Sequence, residues 1–245
     1  MIHQEKSLTK NEIKRIISLK TKMGREKEKE FQAEGIRICQ TLIESPLQLI
    51  QLYTTKKMLH EAQKLTANIT VISDSLMDRF SHSKTQSGIL CIFSIPKKII
   101  PKKINAGIVL ARVSDPGNTG TLIRSAIAFG FPEITIIEGC DPWNPKVIQA
   151  SAGTIGYAKI YELSWPELKE HQDRPPLVAL VPHNGSPLSR KTLRSLLVIG
   201  NEAHGIPDEW ISHCDSRATL SMPGQTESLN AAVAGSIALY LSIGE

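Results

Sequence analysis

The stretch Ala106-Gly-Ile-Val-Leu-Ala-Arg-Val113-Ser-Asp115-Pro-Gly-Asn118-Thr-Gly-Thr-Leu122-Ile-Arg124-Ser-Ala126-Ile-Ala-Phe129-Gly130 holds a strand, a loop and a helix in succession. The apolar run Ala106–Val113 reads as a buried strand. Pro116 and Gly117 make a turn, and Asn118 is the expected N-cap of a helix over Thr119–Phe129. Leu122, Ile123, Ala126, Ile127 and Phe129 form that helix's apolar face. Arg124 lies about 200° round from Leu122 at roughly 100° per residue, on a helix that starts at a strand end, where a side chain points toward a cleft. Taken alone, the loop is also satisfied by a surface arginine and a simple cap.

The alternation continues downstream. Strands are predicted at Glu133–Ile137, Ala158–Glu162, Leu177–Val181, Leu196–Ile199 and Ala218–Ser221. Helices are predicted at Pro145–Ala150, Pro166–His171, Pro207–His213 and Ser228–Ser242. Alternating strands and helices build a mostly parallel α/β sheet with helices on both faces. Ligands of such sheets bind outside the C-terminal ends of the strands. Upstream, short apolar runs at Leu47–Tyr53, Ile69–Ser73 and Ile89–Ile95 read as strands. Helical stretches at 10–21, Gly35–Ile43, Lys56–Leu65 and Ser75–Phe80 accompany them. This is a separate small α/β domain over residues 1–96. Residues 97–103, which with Pro96 hold two prolines and four lysines, read as its linker to a second domain over 104–245.

The charge is unevenly placed. Residues 1–103 carry 19 Lys+Arg against 10 Asp+Glu, and residues 104–245 carry 10 against 14. A basic half beside a mildly acidic one suggests a polyanion-binding module joined to a module with another task. The densest run, Lys22–Glu30, reads either as a solvated face or as a phosphate contact. With 41% hydrophobic and 22% charged residues the chain is neither fibrous nor disordered. No apolar run approaches the roughly 18 residues of a membrane span, and no secretory signal opens the sequence. Cys39, Cys91, Cys140 and Cys214 form no CxxC pair and read as buried thiols of a cytoplasmic protein. The seven histidines are scattered, and no metal site is expected. There is no P-loop, no complete dinucleotide fingerprint and no G-x-S-x-G elbow.

Two further loops follow strands. Leu197-Val-Ile199-Gly200-Asn-Glu202-Ala-His204-Gly205-Ile-Pro207 runs from an apolar strand into two glycines that flank a carboxylate. His204 reads as a polar loop residue. Leu220-Ser-Met222-Pro-Gly224-Gln-Thr-Glu-Ser228-Leu229-Asn230 leads from a Pro-Gly turn into a helix rich in Ala, Gly and Ser, for which Ser228 is the expected N-cap. What these loops share is a cleft lined by backbone, with Asn, Arg, Glu and Ser side chains.

Together the three loops resemble the SpoU (TrmH) family of RNA 2′-O-ribose methyltransferases, in the SPOUT class. Residues 22–37 are similar to the opening of that family's RNA substrate-binding domain. The resemblance implies a parallel-sheet domain with a deep C-terminal trefoil knot, a homodimer, and S-adenosylmethionine as cofactor. It implies a catalytic set of Arg124, Asn118, Glu202, Ser228 and Asn230. It places Gly200, Leu220, Leu229, Val181, Pro182, Ile199 and Met222 around the cofactor. Arg124 would act on the ribose hydroxyl either as the base or as a cation that stabilises the alkoxide. The expected substrate is rRNA rather than tRNA. Ribose methylation of tRNA, methylation of a base nitrogen and a non-catalytic RNA-binding assembly factor are the alternatives.

Overall fold

The computed structural model describes residues 5–83, 85–188, 194–224 and 228–243. Packing divides the chain into two compact units. One comprises residues 1–97 with 143–156, and the other comprises 98–142 with 157–245.

The first unit contains α1 (Lys10–Ser18), α2 (Lys22–Glu28), β1 (Glu30–Glu34), α3 (Ile36–Ile43), β2 (Leu49–Thr54), α4 (Leu59–Gln63), β3 (Ile69–Val71), α5 (Asp74–Phe80) and β4 (Ile89–Ser94). Its sheet runs β1-β4-β2-β3, with only the β2–β3 pair parallel. A capping box at Thr9 and Glu12 starts α1, whose Ile16 joins Tyr53, Met77, Phe80, Leu90 and Ile92 in the core. The stretch predicted as one helix from Lys56 is a 3-10 turn over Lys56–Met58 followed by α4. The charged run Lys22–Glu30 is not solvated or free for phosphate throughout, and for Arg25 that expectation is corrected. Its side chain is 3% exposed, and Nη1 donates to Leu19 O at 2.8 Å, tying α2 to the end of α1. Residues 143–156, with α7 (Pro145–Ala150), pack in this unit. The Trp143 ring lies 4.9 Å from that of Phe31. A side chain at Gly153 would meet Ile38 O at 2.9 Å.

The second unit contains β5 (Gly107–Ala111), α6 (Pro116–Ala128), β6 (Glu133–Ile137), β7 (Lys159–Glu162), α8 (Trp165–Lys169), β8 (Leu177–Leu180), β9 (Ser186–Pro187), β10 (Leu196–Ile199), α9 (Asp208–Ser212), β11 (Ser216–Thr219) and α10 (Ala231–Ser242). The strands form one sheet, β7-β6-β5-β10-β8-β11-β9, in which every neighbouring pair is parallel. Side chains alternate between faces. Val109, Ala111, Ala179 and Val198 meet Trp165 and Leu168 of α8 and Trp210 of α9. On the other face, Gly235 of α10 lies against Leu122 of α6 and Ile199 of β10, where an added Cβ would come within 2.4 Å and 2.7 Å of their side chains.

Both expected caps in this unit are corrected. Asp115, not Asn118, caps α6 by accepting from Asn118 N at 2.8 Å. Asn230, not Ser228, caps α10 by accepting from Ala232 N and Val233 N, so the helix begins at Ala231. The physical reason is competition among closely spaced cap-forming side chains, which local propensity does not resolve. All four cysteines are free; Cys39 and Cys91 are buried, while Cys140 and Cys214 are partly exposed. Among the described residues no helix is long and apolar enough to cross a membrane.

Candidate functional site

Because β5, β10, β8 and β11 are parallel neighbours, the segments that leave their C-terminal ends gather along one edge of the sheet. These segments carry the three motif loops and Val181-Pro182. The loop after β10 is itself a tight hairpin: Asn201 and Gly205 exchange backbone hydrogen bonds at 2.9 and 3.0 Å. Gly200 is required there, since a Cβ would lie 2.3 Å from Gly205 C.

A cavity of about 390 Å³ opens between these loops. Gly200, Leu220, Leu229, Val181, Pro182, Ile199 and Met222, the seven residues expected around a cofactor, all line it. Glu202 and Ser228 line it as well. The volume falls within the roughly 300–1,000 Å³ of small-molecule sites, and a mostly apolar wall with few polar groups is their usual chemistry.

A polar relay joins the motifs at the cavity's rim. Asn118 Nδ2 donates to Glu202 Oε1 at 2.8 Å. Asn230 Nδ2 donates to Asn118 Oδ1 at 3.1 Å. One amide therefore bridges the loops after β10 and β11, and it does so because Asp115 has relieved it of capping α6. Asn201 holds the other side of the carboxylate, with Nδ2 at 3.3 Å from Glu202 Oε2 and 3.0 Å from Arg112 O. Asn201 Oδ1 accepts from Ala203 N and His204 N. The motif pattern does not single out Asn201, although it stands between Gly200 and Glu202, which the pattern does mark.

Arg124 is exposed on α6 and makes no hydrogen bond or ion pair among the described residues. Glu202, with both oxygens engaged by amides, does not pair with it. The neighbouring Ser125 hydroxyl meets Ser236 of α10 at 2.7 Å. His204 lines the cavity and is exposed. Residues 225–227 of the third loop lie outside the described residues.

A parallel α/β sheet, with the loops after β10 and β11 lining one cavity and Asn118 of the first motif loop bonded to its rim, fits the SPOUT class of methyltransferases. Residues 105–240 match the SpoU rRNA methylase family, and residues 10–91 match the MRM3-like substrate binding domain. The chain belongs to the SpoU rRNA methylase family. It is 26% identical to the 23S rRNA (guanosine-2′-O)-methyltransferase RlmP of Bacillus subtilis, over 97% of this chain and 98% of that one. It is 28% identical to an uncharacterised tRNA/rRNA methyltransferase of Synechocystis, over 69% of this chain and 65% of the relative's length. Its structure is similar to that of an AdoMet-bound rRNA methyltransferase from Sinorhizobium meliloti, with TM-score 0.81, 25% identity, and coverage of 98% and 97% of the two chains.

Proposed function

We propose that this protein transfers a methyl group from S-adenosylmethionine to a ribose 2′-hydroxyl of RNA, with rRNA favoured over tRNA. One observation carries the reading: the Asn230–Asn118–Glu202 relay ties the three motif loops together at the rim of a cavity of cofactor size. The relative from B. subtilis and the AdoMet-bound structure from S. meliloti support it.

The residues divide the work. Gly200, Ile199, Leu220, Met222, Leu229, Val181 and Pro182 hold the cofactor, which when bound supplies an electrophilic sulfonium methyl. Arg124 supplies a planar guanidinium with several N–H donors. It stabilises the negative charge that develops on the ribose 2′-oxygen, while water accepts the hydroxyl proton. Its exposure, with no carboxylate partner among the described residues, leaves the guanidinium available to substrate. Glu202 and Asn118 fix the rim, and Asn230 with Ser228 orders the third loop. The basic first unit grips phosphates, in line with its match to a substrate-binding domain.

The same reading includes a homodimer, the family's trefoil knot and work in the cytoplasm. Val233, Ile237, Tyr240 and Leu241 of α10 stand exposed at helical spacing, an apolar stripe suited to a second copy. Gly235 gives α10 the clearance that a threaded segment needs. The test is Arg124→Ala: calorimetry should show cofactor binding intact while methyl transfer to rRNA falls by at least about a hundredfold. Retained turnover would remove Arg124 from the chemistry. Absence of cofactor binding in the wild type would favour an assembly factor.

A further inference from the structure

Two non-glycine residues side by side at the ends of β5 and β6 adopt left-handed backbone conformations: Arg112 with φ 58° and Glu138 with φ 50°. Such conformations persist where their surroundings over-determine them, and they cluster at functional sites. Here the surroundings are explicit. Arg112 N donates to Ile137 O at 2.9 Å, and Arg112 Nε donates to Glu138 Oε2 at 2.7 Å. The guanidinium lies over the indole of Trp210, 4.8 Å from its centroid. Trp210 in turn stacks on Trp165 at 4.8 Å with the rings 3° from parallel. The left-handed turn also presents Arg112 O to Asn201 Nδ2 at 3.0 Å.

We infer that Arg112 is a positioning residue for the cofactor loop, an inference that rests on the methyltransferase reading above. It holds that loop at both ends. Its carbonyl fixes Asn201, which braces Glu202 and the hairpin at the cavity wall. Its side chain presses on Trp210 in α9, the helix into which the loop runs after Pro207. Arg112 does not line the cavity, so its effect on the cofactor passes through Asn201 and α9. Glu138 anchors the guanidinium over the indole through Nε, and a lysine ammonium lacks the fork that meets the carboxylate and the ring at once.

The experiment compares Arg112→Gly, which permits the same backbone and removes the side chain, with Arg112→Lys, which keeps the charge. Three quantities are measured on the full chain: S-adenosylmethionine affinity by calorimetry, affinity for deproteinised rRNA, and acrylamide quenching of tryptophan fluorescence. Arg112→Gly should weaken cofactor binding about tenfold, the combined size of a partly exposed cation–π contact and ion pair. It should raise quenching and leave RNA affinity within about twofold. Arg112→Lys should fall between Arg112→Gly and wild type in both cofactor affinity and quenching. Equal cofactor affinity in all three proteins overturns the inference. So does a loss confined to RNA affinity, which would make Arg112 an RNA contact. A wild type that binds no S-adenosylmethionine refutes the functional reading instead. Unchanged quenching in Arg112→Gly then overturns the packing role as well.

Discussion

Asn230→Asp separates the relay from the helix it caps. In the native protein Asn230 does two things with one amide. Its Oδ1 accepts from Ala232 N at 2.9 Å and Val233 N at 3.2 Å, and its Nδ2 donates to Asn118 Oδ1 at 3.1 Å. Aspartate keeps the capping oxygen, and its charge suits a helix N-terminus. It replaces the donor with another acceptor. Asn118, whose Nδ2 is committed to Glu202 at 2.8 Å, then turns its own oxygen toward a carboxylate on one side or the other. The missing hydrogen bond is worth about 1 kcal/mol, and an acceptor–acceptor contact between partly exposed groups costs about as much. A total of about 2 kcal/mol, at about 1.36 kcal/mol per decade, is roughly a thirtyfold fall in kcat/KM. The assay is methyl transfer from labelled S-adenosylmethionine to rRNA, with calorimetric melting alongside. The relay cost is offset in part by the charged cap, so the melting temperature should fall only by the equivalent of about 1 kcal/mol. Asn230→Ala, which loses both the cap and the relay hydrogen bond, should melt lower by the equivalent of about 2 kcal/mol. If Asn230→Asp transfers methyl within about threefold of the native rate, the relay does not order the site and the reasoning fails.

Two further outcomes are expected. Burial pushes the Glu133 carboxyl up, but hydrogen bonds from Asn105, Tyr161 and Lys159, with the Lys159 charge, outweigh it and hold the pKa below the ordinary 4.5. Its stabilisation is therefore complete above about pH 4.5 and lost as pH falls through the depressed value, so Glu133→Gln should flatten that part of the melting-temperature profile and cost about 1–2 kcal/mol at neutral pH; a profile identical to the native one would contradict this. For the full chain, log affinity for rRNA should fall steeply with log salt, and replacing the exposed Lys27 and Lys57 with glutamine should reduce the slope by about one unit for each phosphate no longer neutralised; an unchanged slope would mark these lysines as solvated surface.

The sheet is legible in sequence where burial is two-sided. Leu196–Ile199 is wholly apolar and becomes the central strand, and Glu133–Ile137, apolar at three of five positions, becomes an interior strand, both with the predicted limits. β1 is not legible, because Glu-Phe-Gln-Ala-Glu shows only Phe31 and Ala33 as apolar. Its Gln32 is buried because the amide donates to Phe80 O at 3.1 Å, a tertiary partner that no periodicity announces. α2 is hidden by its charges, and β9 is a Ser-Pro pair too short to carry a pattern. In the site, the motif residues mark three loops, and the parallel strand order brings those loops to one edge. The use of Asn118 escapes a local reading, since its role follows from Glu202, 84 positions away, and not from its neighbours. Arg112 leaves no signal at all. Left-handed backbone is written in sequence by glycine or asparagine, and here a stacked arginine takes it.

The packing of residues 143–156 with the first unit makes this a chain that cannot finish its parts in order. Phe31 packs against both Phe93 and Trp143, and Gly153 and Gly156 lie against Ile38 and Ser45. On the ribosome, the face of the first unit that packs against Trp143 and Gly153 is completed only after residue 156 has emerged, by which time β5, α6 and β6 are already available to pair. The chain crosses between the units three times, so a cut near residue 97 removes Trp143 from Phe31 while leaving its stack on Phe93. An exchange of the whole first unit has to carry the 143–156 segment with it.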